Sequence, residues 1–205
     1  MPWWGVVSSA ASPVLLVSGW TAAADLQPRF DPVADTVSSL AAIGATDRWV
    51  MTLTFAVVVL CDIVTALALR PAAIPGRVML LAGAVAGLLV AANPEHDGGG
   101  FGSVPHFILA AIGLALLTSW PIGARRRGPG VPWALRPGAA AAAIAVLFAL
   151  LTWFGLKLAT GAGQAGLAER VMGLAQAAWP LTVVLSARAA AAQPVLAEAN
   201  QTKTA

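Results

Sequence analysis

The stretch from Trp49 to Leu69, WVMTLTFAVVVLCDIVTALAL, holds a single charged side chain, Asp62, in an otherwise apolar run. A bilayer's hydrocarbon core is about 30 Å thick and takes roughly 20 helical residues to cross. This run has that length, and it stops at Arg48 on one side and at Arg70-Pro71 on the other. Working outward, five further stretches read the same way: Gly5–Ala24, Arg77–Ala92, Pro105–Gly123, Gly138–Ala159 and Arg170–Arg188. Arg77–Ala92 is the shortest and must borrow residues from its flanks. The separators are turn-forming, namely Pro75-Gly76, the run Gly98–Gly100 and Gly128-Pro129-Gly130. The expectation is an all-α integral membrane bundle of six transmembrane helices over residues 1–192, followed by a polar, disordered cytoplasmic tail at 193–205.

Composition agrees. Of 205 residues, 59% are hydrophobic and 10% charged, whereas soluble domains carry about 25% charged residues. A chain this apolar is not a soluble enzyme, a disordered protein or a nucleic-acid binder. The net charge of +3 comes from scattered basic residues, not from a phosphate-reading face. The lone cysteine, Cys61, excludes an intrachain disulfide and a cysteine-rich metal site. No Lys or Arg precedes the first span, so it reads as an uncleaved signal-anchor.

The placement of basic residues sets the expected orientation. Arg70, Arg77, Arg125, Arg126, Arg127, Arg136, Arg188 and Lys203 fall on one side, and Arg29, Arg48, Lys157 and Arg170 on the other. Both termini are therefore expected in the cytoplasm of a bacterial cell, the bundle lying in its plasma membrane. The acids go the other way: Asp25, Asp31, Asp35, Asp47, Glu95, Asp97 and Glu169 lie in or beside the outer loops, as do His96 and His106. A binding or reacting site belongs at that end.

In the first outer loop, Asp35, Val37, Leu40, Ala41 and Ile43 have helical spacing, which suggests a short amphipathic segment at the interface. Asp35 is placed to cap it, and Thr46 or Asp47 to cap the second span. Ser38 and Ser39 have no capping role there and are free to bond to another loop. In the second outer loop, Glu95, His96 and Asp97 precede a glycine run that could fold His96 towards His106. Two histidines and a carboxylate suffice for zinc, but the spacing fits no helix-borne signature. A hydrogen-bonded His106 at a helix entrance is the simpler reading. In the third, Glu169 and Arg170 adjoin and point apart on a helix. Arg170 opposes the helix dipole and calls for Asp35, Asp97 or a lipid phosphate as partner. Within the membrane, Asp62 is a functional candidate by default, with Thr65 and Arg77 as nearby partners. Gly83-x-x-x-Gly87 is a small-residue face suited to close helix packing.

Three segments taken in order, Asp35-x-x-Ser38-Ser39-Leu40, Pro94…Asp97…His106 and Gly166-Leu167-Ala168-Glu169-Arg170, resemble the six-span bacterial and archaeal family called domain of unknown function 998. The resemblance covers about residues 5 to 190. Where that family is expected to carry Pro-x-Asp, this chain has Pro94-Glu95-His96-Asp97, so the equivalent acid is either Glu95 or Asp97. The resemblance implies the six-span fold and a polar outer cluster, without a reaction.

The candidate ligand-binding residues are thus Asp35, Ser38, Ser39, His96, Asp97, His106, Glu169 and Arg170. The first functional reading is a bundle that binds a lipid headgroup, a small ligand or a partner protein. The second is an interfacial lipid hydrolase, with Arg170 on phosphate and His106 or Asp97 as base or metal ligand. The third is a small transporter, for which a single embedded charge and the lack of an inverted repeat are poor support. Membrane lipids are the expected partners, with a second copy of the chain or another protein as alternatives. No cofactor is specified.

Overall fold

The computed structural model describes residues 1–96 and 103–204, with side chains to residue 192. Six helices make up the described chain: α1 (Trp3–Asp25), α2 (Trp49–Ala68), α3 (Ile74–Ala92), α4 (Val104–Ala124), α5 (Pro137–Thr160) and α6 (Ala165–Thr204). Short 3-10 turns lie at Ser38–Ala41 and Trp133–Leu135. The protein is a helical membrane bundle. α1 to α5 are each long and apolar enough to cross a membrane. α6 is not among them, because residues such as Gln176 and Ser186 dilute its apolar stretch; both are buried, turned into the bundle and away from lipid.

α1, α3, α4 and α5 run slightly beyond the expected spans, α2 stops one residue short at Ala68, and α6 extends well past Arg188. α3 starts at Ile74, ahead of Arg77, with Pro75 in its first turn, where a missing N–H costs nothing. α5 closes on Gly161 in the left-handed region (φ 62°), a conformation that glycine adopts without strain. The α6 backbone is helical to Thr204, and the side chains of the expected tail lie outside the described part.

α3 and α4 make the most extensive helix contact. Glycine allows it: a Cβ on Gly76 would overlap the Ala124 backbone, and one on Gly83 would press on Leu117 at 3.0 Å. At this arginine-rich end, Ala73 N–H donates to the Ala124 carbonyl at 3.1 Å. Arg77, a proposed partner for Asp62, instead donates to the carbonyls of Ala66 (3.0 Å) and Leu67 (3.2 Å). It thereby covers acceptors that the end of α2 leaves unpaired. Trp120 is 1% exposed and sits in a core cluster with Leu69, Leu80, Leu135 and Val183.

A second cluster closes the acid-rich end. Val37, Leu40 and Ala41 of the first loop are buried against Leu16, Met51 and Val58 of α1 and α2. The helical spacing read in this loop is therefore real, but it forms a 3-10 turn that plugs the bundle instead of lying flat at the interface. Ile43, the last apolar residue of the pattern, stays exposed. Neither Thr46 nor Asp47 caps α2 with its side chain; the Asp47 carboxylate accepts from the Trp49 indole at 3.2 Å. A third, smaller cluster joins Phe154 of α5 to Ala168 and Met172 of α6. The space between the clusters is not filled.

Candidate functional site

That space is a cavity of about 630 Å³, within the roughly 300–1,000 Å³ range of sites for drug-sized ligands. Its walls are mainly apolar, including Phe55 and Val59 of α2, Leu114 of α4, Leu151 and Phe154 of α5 and Met172 of α6. Polar groups gather at the acid-rich end, where Thr36, Ser38, Glu95, His106 and Glu169 line it, and Asp62 and Gln176 lie deeper. The exposed residues among its lining, Phe107, Ala111, Gly155 and Leu158, all lie on α4 and α5. A Cβ on Gly155 would meet nothing within 4 Å.

The polar rim is built by the three acid-rich loops, which do meet. Loop one wraps the start of α6: Gly166 and Leu167 donate their N–H groups to the carbonyls of Ala34 (3.2 Å) and Val33 (3.0 Å). Orphan donors of the first helical turn are thus satisfied by backbone. The fit needs glycine, since a Cβ on Gly166 would collide with the Asp35 carbonyl. The start of loop two joins the same surface, with Ile43 N–H donating to the Glu95 carbonyl at 2.8 Å.

Glu169 is the centre of this arrangement. Its carboxylate accepts from Val37 N–H at 2.6 Å and from the Ser38 hydroxyl at 3.0 Å. Glu169 on α6, not Asp35, therefore caps the 3-10 turn. Ser38 makes the cross-loop bond that its lack of a local role implied. His106 sits in the first turn of α4 with its side chain 5% exposed. Nε2 faces Glu95 Oε1 at 3.1 Å and Nδ1 faces the Asn93 carbonyl at 2.9 Å. Nδ1 must donate to that carbonyl. Either the ring carries both protons beside a Glu95 carboxylate, or Glu95 carries the proton and donates to Nε2. In both cases the pair is net neutral.

The other described candidates, Asp35, Ser39, His96 and Arg170, are not among the residues that line the cavity. Among the described residues, half-buried Arg170 reaches no carboxylate. Its Nη1 donates to the carbonyls of Pro32 (2.8 Å) and Asp35 (3.0 Å). The guanidinium stacks over Phe30 (5.3 Å) and Trp20 (5.9 Å), while Nη2 is buried with no partner among the described residues. Asp35 is exposed, and its carboxylate accepts from Asp31 N–H at 2.8 Å. Ser39 bonds locally to Thr36. His96 is exposed and engages Ser103 through its backbone N–H at 3.0 Å. Asp97 lies outside the described residues. Among the described residues, no three His, Cys, Asp or Glu side chains group to hold a metal.

Asp62 is 7% exposed and accepts from the Ser12 hydroxyl of α1 at 3.0 Å, while Thr65, its expected partner, bonds to Ser8 at 2.9 Å. Gln176 donates to the Thr118 hydroxyl at 2.9 Å. Ser12 and Gln176 were not singled out in the sequence. Their signal was present: Ser8 and Ser12 stand four apart on an apolar span, a polar stripe suited to bonding across helices.

A family model described as a protein of unknown function, DUF998, matches residues 10–186. Neither the curated proteins nor the solved structures contain a match.

Proposed function

The chain belongs to the DUF998 family, and on that premise we propose that it is a membrane binding protein for an amphipathic, lipid-like molecule. The apolar part of the ligand occupies the cavity between α2, α4, α5 and α6. The head meets the rim formed by Ser38, Glu95, His106 and Glu169. Loading occurs from the bilayer through the gap between α4 and α5. In this reading the protein sits in the bacterial plasma membrane with both termini in the cytoplasm and the rim on the outer side. The observation that carries it is a cavity of about 630 Å³ with mainly apolar walls, polar groups gathered at one end and its exposed lining residues all on α4 and α5. A lipid-like molecule has the same division of polarity along its length. The lipid-hydrolase reading is less well supported: Arg170, its phosphate-holding group, donates to the Pro32 and Asp35 carbonyls and does not line the cavity.

Native mass spectrometry of the protein from mild detergent, beside Gly155→Trp, tests the proposal. Gly155 lines the cavity, and a Cβ there would meet nothing within 4 Å, so the substitution begins in open space. The wild type is expected to retain one long-chain molecule per chain, and the folded variant to lose it. Retention by both proteins, or by neither, overturns the proposal.

A further inference from the structure

We propose that the cavity selects amphiphiles whose head donates hydrogen bonds and carries no negative charge, a long-chain alcohol or amine, and rejects phosphate and carboxylate heads. This deepens the binding role above and rests on it.

The polar atoms that the cavity presents are predominantly acceptors. Asp62, Glu95 and Glu169 line it, and among the described residues no Lys or Arg does. Glu95 and His106 satisfy one another as a neutral pair, so His106 offers an incoming anion no unspent positive charge. Glu169 receives one hydrogen bond on each oxygen, from Val37 and Ser38. A carboxylate has about four lone-pair sites, which leaves it able to accept from a ligand. Asp62, deeper in, receives the Ser12 hydroxyl and has the same spare capacity.

The cation that would suit a phosphate is close in sequence but directed elsewhere. Arg170 follows Glu169, yet its guanidinium is held on the Pro32 and Asp35 carbonyls between two aromatic rings. It is a clasp for loop one. Burial pushes the Glu169 carboxyl up and the Val37 and Ser38 hydrogen bonds pull it down; beside its ionised form, a phosphate or carboxylate head at the half-buried rim would bring a second, repelling anion. A hydroxyl or ammonium head would donate to the same oxygens.

The test uses the full chain in mild detergent and four probes with one shared chain: hexadecanol, hexadecylamine, hexadecanoate and hexadecyl phosphate. Occupancy is read by native mass spectrometry across a concentration series. The alcohol, the amine or both are expected to bind at least about tenfold more tightly than either anionic probe, a difference of about 1.4 kcal/mol. The stronger of the two identifies the head. Glu169→Gln keeps an acceptor for Ser38 but removes the charge, and should bring the amine-to-phosphate ratio towards one. If that variant does not fold, Asp62→Asn reads the same ratio. Equal binding of all four probes, or tighter binding of hexadecyl phosphate, overturns the head selection and leaves the cavity role standing. Binding of none overturns both.

Discussion

His106→Ala is expected to destabilise the purified protein by about 2–3 kcal/mol, below the roughly 3–5 kcal/mol of breaking a fully buried pair, because Glu95 keeps 18% of its side chain exposed. The substitution removes two contacts at once. Glu95 is left beside a void, and the Asn93 carbonyl loses its donor just past the end of α3. His96→Ala is the matched control, an exposed ring whose backbone bond to Ser103 survives. It should shift stability by less than about 0.5 kcal/mol, as surface substitutions do. Reversible denaturation in mixed micelles measures both. An unchanged His106→Ala midpoint would mean that the pair does not hold the rim together.

Glu169→Leu is the second large effect. Two opposed contributions decide its sign. Burying a carboxylate is costly, and replacing buried polar groups with a well-packed apolar side chain is often neutral or stabilising. Here, however, leucine would strand Val37 N–H, whose residue is 4% exposed, and the Ser38 hydroxyl. Each buried donor left unpaired costs about 1–3 kcal/mol. The stranded donors outweigh the relief, and the expected net loss is about 1–3 kcal/mol. Glu169→Gln, which keeps an acceptor, should lose less. Amide hydrogen exchange should also rise around Val37 and Ser38 in the leucine variant, since Glu169 holds this part of the loop onto α6 while Arg170 holds Pro32 and Asp35. A leucine variant as stable as the wild type, with unchanged exchange, would show that the loop is held without it.

The two variants separate what sequence could and could not foresee. The helices were legible because span length and turn chemistry act locally: most of the apolar runs end at or beside Arg, Pro or Gly whatever surrounds them. The gathering of acids at one end was legible too. The partnerships across loops were only half so. Ser38, without local work, pointed to a distant partner, and Glu169 supplied it. Arg170's need for acceptors was equally plain, but the acceptors are backbone carbonyls, which every residue carries and which leave no trace in composition. A hydrogen-bonded His106 at a helix entrance was legible in the second loop, but its partners were not: they are Glu95, the residue before His96, and the Asn93 carbonyl. Gly83 and Gly87 were read correctly as a packing face, and they also line the cavity. The cavity itself had no signature. Leu114 or Phe154 beside a void is written with the same letters as in a filled core, and only the distances between helices distinguish them.

The binding role is tested most directly by photolabelling with a hexadecanol probe that carries a diazirine at the chain end, followed by peptide mapping. If the chain enters between α4 and α5, label will fall on interior residues such as Leu114, Phe154 and Met172, the last 1% exposed, and Gly155→Trp will abolish it. If label falls only on outward-facing residues such as Ile108, Val146 and Phe148, in wild type and variant alike, the molecule merely bathes the bundle and the cavity does not bind it.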